Sequence, residues 1–207
     1  MNRFCQWMTT LALTLAFTGA QATVITQSDE GEMHTEVAGA TEIDFGEGCG
    51  YASCSGDFQI VTGDLSGRYA APAGTGSDNP YLSVPNPNQS GTAILELGET
   101  ANYFGLYWGS IDSYNTISFF LAGVLIDTFG GGDVAAPADG NQLASATNRF
   151  INFFFGDLRF DQVHLASDNY AFESDNHAYA TVSEPGTLAL MGIALAGLLM
   201  ARRRRQH

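Results

Sequence analysis

The chain has 207 residues, is 45% hydrophobic, and carries 22 acidic residues against 8 basic ones, all arginines, for a formal charge of −14. That apolar content supplies a core for one ordinary domain and excludes disorder throughout. The shortage of cations excludes a nucleic-acid partner, because phosphate binding depends on clustered Lys and Arg.

The first segment, residues 1–22, reads as a secretory signal peptide. Arg3 provides a small positive start, residues 11–17 an apolar stretch, and Ala20-Gln21-Ala22 a small-x-small cleavage site, so the mature chain is expected to begin near Thr23. Residues 23–182 are then expected to form one domain. Residues 23–183 hold 21 of the 22 acids but only Arg68, Arg149 and Arg159, a formal charge of −18.

Cys5 leaves with the signal peptide. The two remaining cysteines, Cys49 and Cys54, lie close together in a Gly- and Ser-rich stretch. In an oxidising compartment an even count favours a disulfide. A metal site is disfavoured, because two cysteines without a nearby histidine leave the ligand set incomplete.

Short β-branched and aromatic runs come next, separated by Gly, Asn, Asp and Pro. They cover 42–45, 58–62, 81–84, 92–97, 103–108, 116–121, 124–129, 149–155, 160–165 and 179–182. No segment carries a sustained 3.6-residue apolar repeat, so the expectation is an all-β antiparallel sandwich. Residues 116–121 and 124–129, joined by Ala122-Gly123, predict a tight hairpin. Ile151, Phe153 and Phe155 fall on one face of a strand and are expected in the core. Long loops are expected at 71–80, 85–91 and 130–142.

Two stretches suggest ligands. Tyr107, Trp108, Asp112, Tyr114 and Asn115 combine flat rings with short polar groups, the residue types that contact sugars. The plainer reading is a core strand, because alternation buries Phe104, Leu106 and Trp108 on one face, with 112–115 as a turn. Asp168, Glu173, Asp175 and Asn176 offer hard oxygen ligands of the kind Ca²⁺ takes, without the register of an EF-hand loop; a solvated acidic turn is the plainer reading. For catalysis there is little. His34, His164 and His177 sit in no HExxH pattern, and no GxSxG elbow or phosphate loop is present. Among so many carboxylates no pair stands out as that of a glycosidase.

Residues 183–207 form a tripartite address. Ser183, Glu184 and Pro185 precede the uncharged stretch 187–201, and Arg202, Arg203, Arg204 and Arg205 come after it. Residues 185–201 are just long enough for one transmembrane helix, and the arginines place its far end on the cytoplasmic side.

This arrangement resembles the PEP-CTERM sorting signal of Gram-negative bacteria, with Ser183 in place of the first proline. The resemblance implies recognition by an exosortase, a membrane-embedded cysteine protease, after an inner-membrane intermediate, with delivery to the cell surface or extracellular matrix. Phe172-Glu173-x-Asp175-Asn176, together with Trp108-Gly109-Ser110-Ile111-Asp112, resembles the jelly-roll domains of one family of exosortase-dependent surface proteins without assigned activity. The expected function is therefore that of a structural surface or matrix protein, not an enzyme. A carbohydrate-binding module of the exopolysaccharide is the alternative, and a secreted glycan hydrolase a more distant one.

Overall fold

The computed structural model describes residues 22–183. The expected signal segment, apart from Ala22, and the sorting segment beyond Ser183 lie outside the described residues. Among the described residues no helix is long and apolar enough to cross a membrane.

The chain folds as two antiparallel sheets packed face to face. The larger runs β1 (Val24–Gln27), β10 (Arg149–Phe154), β7 (Tyr103–Gly109), β12 (Phe172–Ala180), β5 (Tyr81–Val84) and β4 (Gln59–Val61), with β2 (Thr41–Ile43) also paired to β12. The smaller runs β3 (Ser53–Gly56), β6 (Gly91–Ala101), β11 (Phe160–Ser167), β8 (Asn115–Leu121) and β9 (Val124–Gly130). Helical structure among the described residues is limited to α1 (Gly131–Val134) and a 3-10 turn, Ser145–Thr147.

Side-chain alternation explains the core. Phe104, Leu106 and Trp108 of β7 point between the sheets, as do Ile151, Phe153 and the following Phe155. They meet Leu95, Ile117, Phe119, Val163 and Leu165 from the smaller sheet. Phe119 lies at the centre, with ring centroids 4.6 Å from Phe155, 5.0 Å from Phe160 and 5.3 Å from Phe153. Trp108 stacks on Phe172 at 4.1 Å. Such aromatic packing adds about 0.5–1.5 kcal/mol per pair beyond the area buried.

The two sheets differ on their outer faces. The smaller is one-sided: along β6 and β11 buried residues alternate with partly exposed ones. The larger is buried on both faces along β7 and most of β12. Its outer face carries a second apolar cluster, Tyr103, Tyr107, Phe150 and Ala178, covered by Met33, Val37 and Ala40. Tyr107 Oη donates to Ala73 O at 2.7 Å, Tyr81 Oη to Gly63 O at 2.6 Å, and Asn176 Nδ2 to Met33 O at 3.0 Å. Residues 28–40 and 63–80 thus clad this face.

The expected hairpin is present as β8 and β9, with Ala122 at φ 49 and Gly123 at φ 78. Two positive φ values give the turn the twist that matches its strands. The disulfide joins Cys49 and Cys54, whose Cα atoms are 6.3 Å apart.

Three strands depart from expectation. β1 and the Ser-Cys-Ser-Gly strand β3 carry no apolar alternation; they add to the sheets through backbone pairing with β10 and β6. β12 begins at Phe172, seven residues before the expected 179. What reads as a solvated acidic turn is the buried middle of the larger sheet, because cladding on its outer face shelters Glu173 and Asp175 from water.

Candidate functional site

The site is built where β7 ends and β12 begins. Connecting segments of both sheets gather here, and residues 64–70, 169–171, Gln142 and Glu173 line a cleft of about 490 Å³. That volume falls in the range of small-molecule sites.

Glu173 lies at the base, 3% exposed. Its carboxylate accepts from the Ala70 N–H at 3.0 Å and from the Ser110 hydroxyl at 3.3 Å. Burial outweighs both bonds and raises its pKa to about 8, so the group is largely protonated at neutral pH. Asn148 Oδ1 accepts from the Ser110 and Ala73 amides, both at 3.1 Å, and fixes the backbone beside it.

One wall is a braced aromatic. The Arg68 guanidinium sits over the Tyr170 ring, 5.3 Å from its centroid. Arg68 Nη1 and Tyr170 Oη both donate to Pro87 O, at 2.9 and 3.0 Å. Tyr114 Oη donates to Tyr170 O at 2.8 Å, and Gln89 Nε2 to Asn169 Oδ1 at 3.0 Å. Segments far apart in sequence therefore hold this wall. Tyr69, in edge contact with Tyr81 at 6.3 Å, adds a second ring.

The residues singled out from sequence are placed differently. Tyr107 and Trp108 face opposite sides of the sheet, and Trp108 is fully buried, so its ring cannot stack on a sugar. Asn115 is also buried: Oδ1 accepts from the Asp112 amide within the turn, and Nδ2 donates to Ser167 Oγ on β11. Burial raises the pKa of the half-buried Asp112. Tyr114 supports the cleft from behind, through its bond to Tyr170.

The proposed Ca²⁺ ligands do not converge. Asp168 is exposed, Asp175 Oδ2 accepts from Asn79 Nδ2 at 2.5 Å, and Asn176 Nδ2 is bonded to Met33 O. Among the described residues no three His, Cys, Asp or Glu side chains form a metal-binding group. Glu173 and Asp175 are accommodated by protein donors and by raised pKa values, with burial the leading cause for both. Ser183 and Ala22 are exposed; Ala20, Glu184, Pro185 and Arg202–Arg205 lie outside the described residues.

Sequence reading missed Arg68, Tyr69, Gln142 and Tyr170 as site residues. Arg68 was the available signal, as one of three arginines in an otherwise acidic domain.

Comparison with known proteins gives one family match: residues 181–205 fit the PEP-CTERM protein-sorting motif. The chain thus carries a PEP-CTERM protein-sorting motif at its C-terminal end, and this signal implies exosortase-dependent export through a membrane-anchored intermediate to the cell surface. No curated protein matches the chain. Among solved structures it is similar to the catalytic unit of a thermostable GH87 alpha-1,3-glucanase from Streptomyces thermodiastaticus strain HF3-3, at 12% identity and TM-score 0.39, over 70% of this chain and 26% of that one. It is also similar to a truncated AlyQ with CBM32 and alginate lyase domains, at 15% identity and TM-score 0.32, over 80% of this chain and 35% of that one. A third is the CBM32-1, CBM32-2 and M60 catalytic domains of ZmpB from Clostridium perfringens, at 11% identity and TM-score 0.35, over 77% of this chain and 17% of that one. The chain spans well under half the length of each.

Proposed function

We propose that this chain is an exported protein, processed by an exosortase, whose jelly-roll-like sandwich serves in the cell surface or extracellular matrix without catalysing a reaction. The observation that carries this reading is the position of the sorting motif, which starts at residue 181, directly after β12 ends at Ala180. The Val182 amide donates to Asn102 Oδ1, and Asn102 Nδ2 donates to Val182 O at 2.9 Å, so the exit of the chain is clamped to the sandwich. Removing residues 187–207 leaves every described strand in place.

The intact mass of the protein recovered from the culture matrix tests this reading. It should correspond to a chain that begins near Thr23 and lacks residues 187–207. Deleting Arg202–Arg205 should impair membrane retention before processing, because the positive charges fix orientation. A matrix form that keeps the arginine tail overturns the reading and leaves a membrane protein with a single anchor.

A second reading, a carbohydrate-binding module of the exopolysaccharide, is favoured by the cleft of Arg68, Tyr69 and Tyr170. Retention of the protein on polysaccharide would support it. Turnover of the same polysaccharide would instead point to a hydrolase.

A further inference from the structure

We propose that the cleft between Arg68, Tyr170 and Glu173 binds a neutral, hydroxyl-rich sugar and discriminates against acidic glycans. This rests on the carbohydrate-binding reading and adds to it the place and the class of ligand.

Shape and lining point to a sugar. The cleft combines two tyrosine rings with the amide side chains of Gln142 and Asn169 and the carboxyls of Asp64 and Glu173. Tyr69 and Tyr170, the latter with one face taken by Arg68, contribute apolar ring surface for the C–H groups of a pyranose, and the amides and Asp64 match its hydroxyls, while Glu173, already accepting from Ala70 and Ser110, closes the base. A cleft for an apolar ligand would carry mostly aliphatic and aromatic side chains with few polar groups.

The wall is also preorganised. Tyr170 is fixed through its hydroxyl, its carbonyl and its ring at once, by Pro87, Tyr114 and Arg68. Its neighbour Asn169 is tied by Gln89 to the Oδ1 atom and by Ser167 Oγ to the backbone carbonyl at 2.6 Å. A wall held by this many bonds loses little entropy when a ligand arrives, which is the usual way a shallow polar site gains affinity.

Charge then selects among sugars. Arg68 is the cation of the cleft, and its guanidinium is already committed to the Tyr170 ring and Pro87 O. Asp64, whose Oδ1 accepts from the Ala71 amide at 2.8 Å, stands on the same lining. Around them lies a domain of formal charge −18. A polyuronate would meet repulsion at long range and no surplus cation on arrival, whereas a neutral glycan incurs neither cost. Protonated Glu173 adds no negative charge at the base of the cleft at neutral pH.

The test uses the full chain on a printed array of neutral oligosaccharides (glucans, mannans and galactans) beside alginate and polygalacturonate fragments. The best binder is then titrated against wild type, Tyr170→Ala, Asn169→Ala and, as a control far from the cleft, Leu158→Ala. Melting temperatures establish that each variant folds. The expected result is retention of a neutral glycan, at least tenfold weaker in Tyr170→Ala, weaker in Asn169→Ala and unchanged in Leu158→Ala. Retention of alginate or polygalacturonate at least as tight as that of the best neutral glycan overturns the ligand class, and neutral-glycan binding indifferent to both cleft variants overturns the place. Absence of any glycan binding by the folded wild type overturns the carbohydrate-binding reading itself, while leaving the export reading, which is measured by mass, untouched.

Discussion

Two buried carboxyls and a buried histidine on β12 shape how the domain responds to acid and to neutral pH. Glu173 and Asp175 face outward under the cladding, with pKa values raised by burial to about 8 and about 6. His177 faces the core between Phe45 and Phe104, bonded to Tyr51 Oη at 2.8 Å and Ser174 Oγ at 2.9 Å, and burial lowers its pKa to about 3. The signs are opposite. A carboxyl with a raised pKa binds its proton more tightly when folded, so stability falls as pH rises from its ordinary value, near 4.5, to about 8 for Glu173. A histidine with a lowered pKa is neutral when folded, so stability is lost as pH falls from its ordinary 6.5 toward 3. Between about pH 6.5 and 8 the Glu173 contribution dominates the change, and thermal melts should show the wild type losing stability across that interval. Glu173→Gln, which cannot ionise, should flatten it. A wild-type melting temperature constant across the interval would place this carboxyl in a more polar setting than the structure gives it.

At the scale of elements, the disulfide does more than close a loop. Tyr51 lies between Cys49 and Cys54, and its hydroxyl reaches His177 while its ring stacks on Tyr179 at 6.1 Å. Cys54 belongs to β3 and pairs with Leu95, so the bridge ties a weakly patterned edge strand to the loop that caps β12. The Cys49→Ser, Cys54→Ser double variant should lose about 2 kcal/mol in urea unfolding, the value expected for so short a closed loop. Free thiols at both positions in the exported protein would contradict the pairing. Gly56, at the end of β3, marks a closer constraint. Its φ is +97, and a Cβ there would stand 2.1 Å from Thr92 O, so Gly56→Ala should open the β3–β6 edge. Hydrogen exchange along 53–56 would detect this.

At the scale of the molecule, the governing quantity is charge. A formal −18 on residues 23–183 repels itself, and no group of acids among the described residues is arranged to take up a metal ion. Stability should therefore respond to ionic strength rather than to a particular cation. Raising NaCl from about 0.1 M to about 1 M shortens the screening length from roughly 10 Å to roughly 3 Å and should raise the melting temperature. CaCl₂ at equal ionic strength should do no more. A calcium-specific excess would reveal a cation site that no group of three His, Cys, Asp or Glu side chains among the described residues accounts for.

The all-β class, the core faces of β7 and β10, the β8–β9 hairpin, the cysteine pair and the sorting motif were all legible in the amino-acid sequence. Each is written locally, as alternation with period 2, as a turn pair that tolerates positive φ, or as an ordered string of motif, apolar stretch and arginines. Tertiary packing settled the remainder. Whether 172–176 is a wet turn or a buried strand depends on residues 28–40 and 63–80 covering it, and nothing in the acidic pentapeptide itself encodes that cover. The cleft likewise brings Arg68, Pro87, Gln142, Tyr170 and Glu173 together across more than a hundred residues of chain. Their proximity arises from the order of strands in two sheets, a long-range property that local periodicity does not carry.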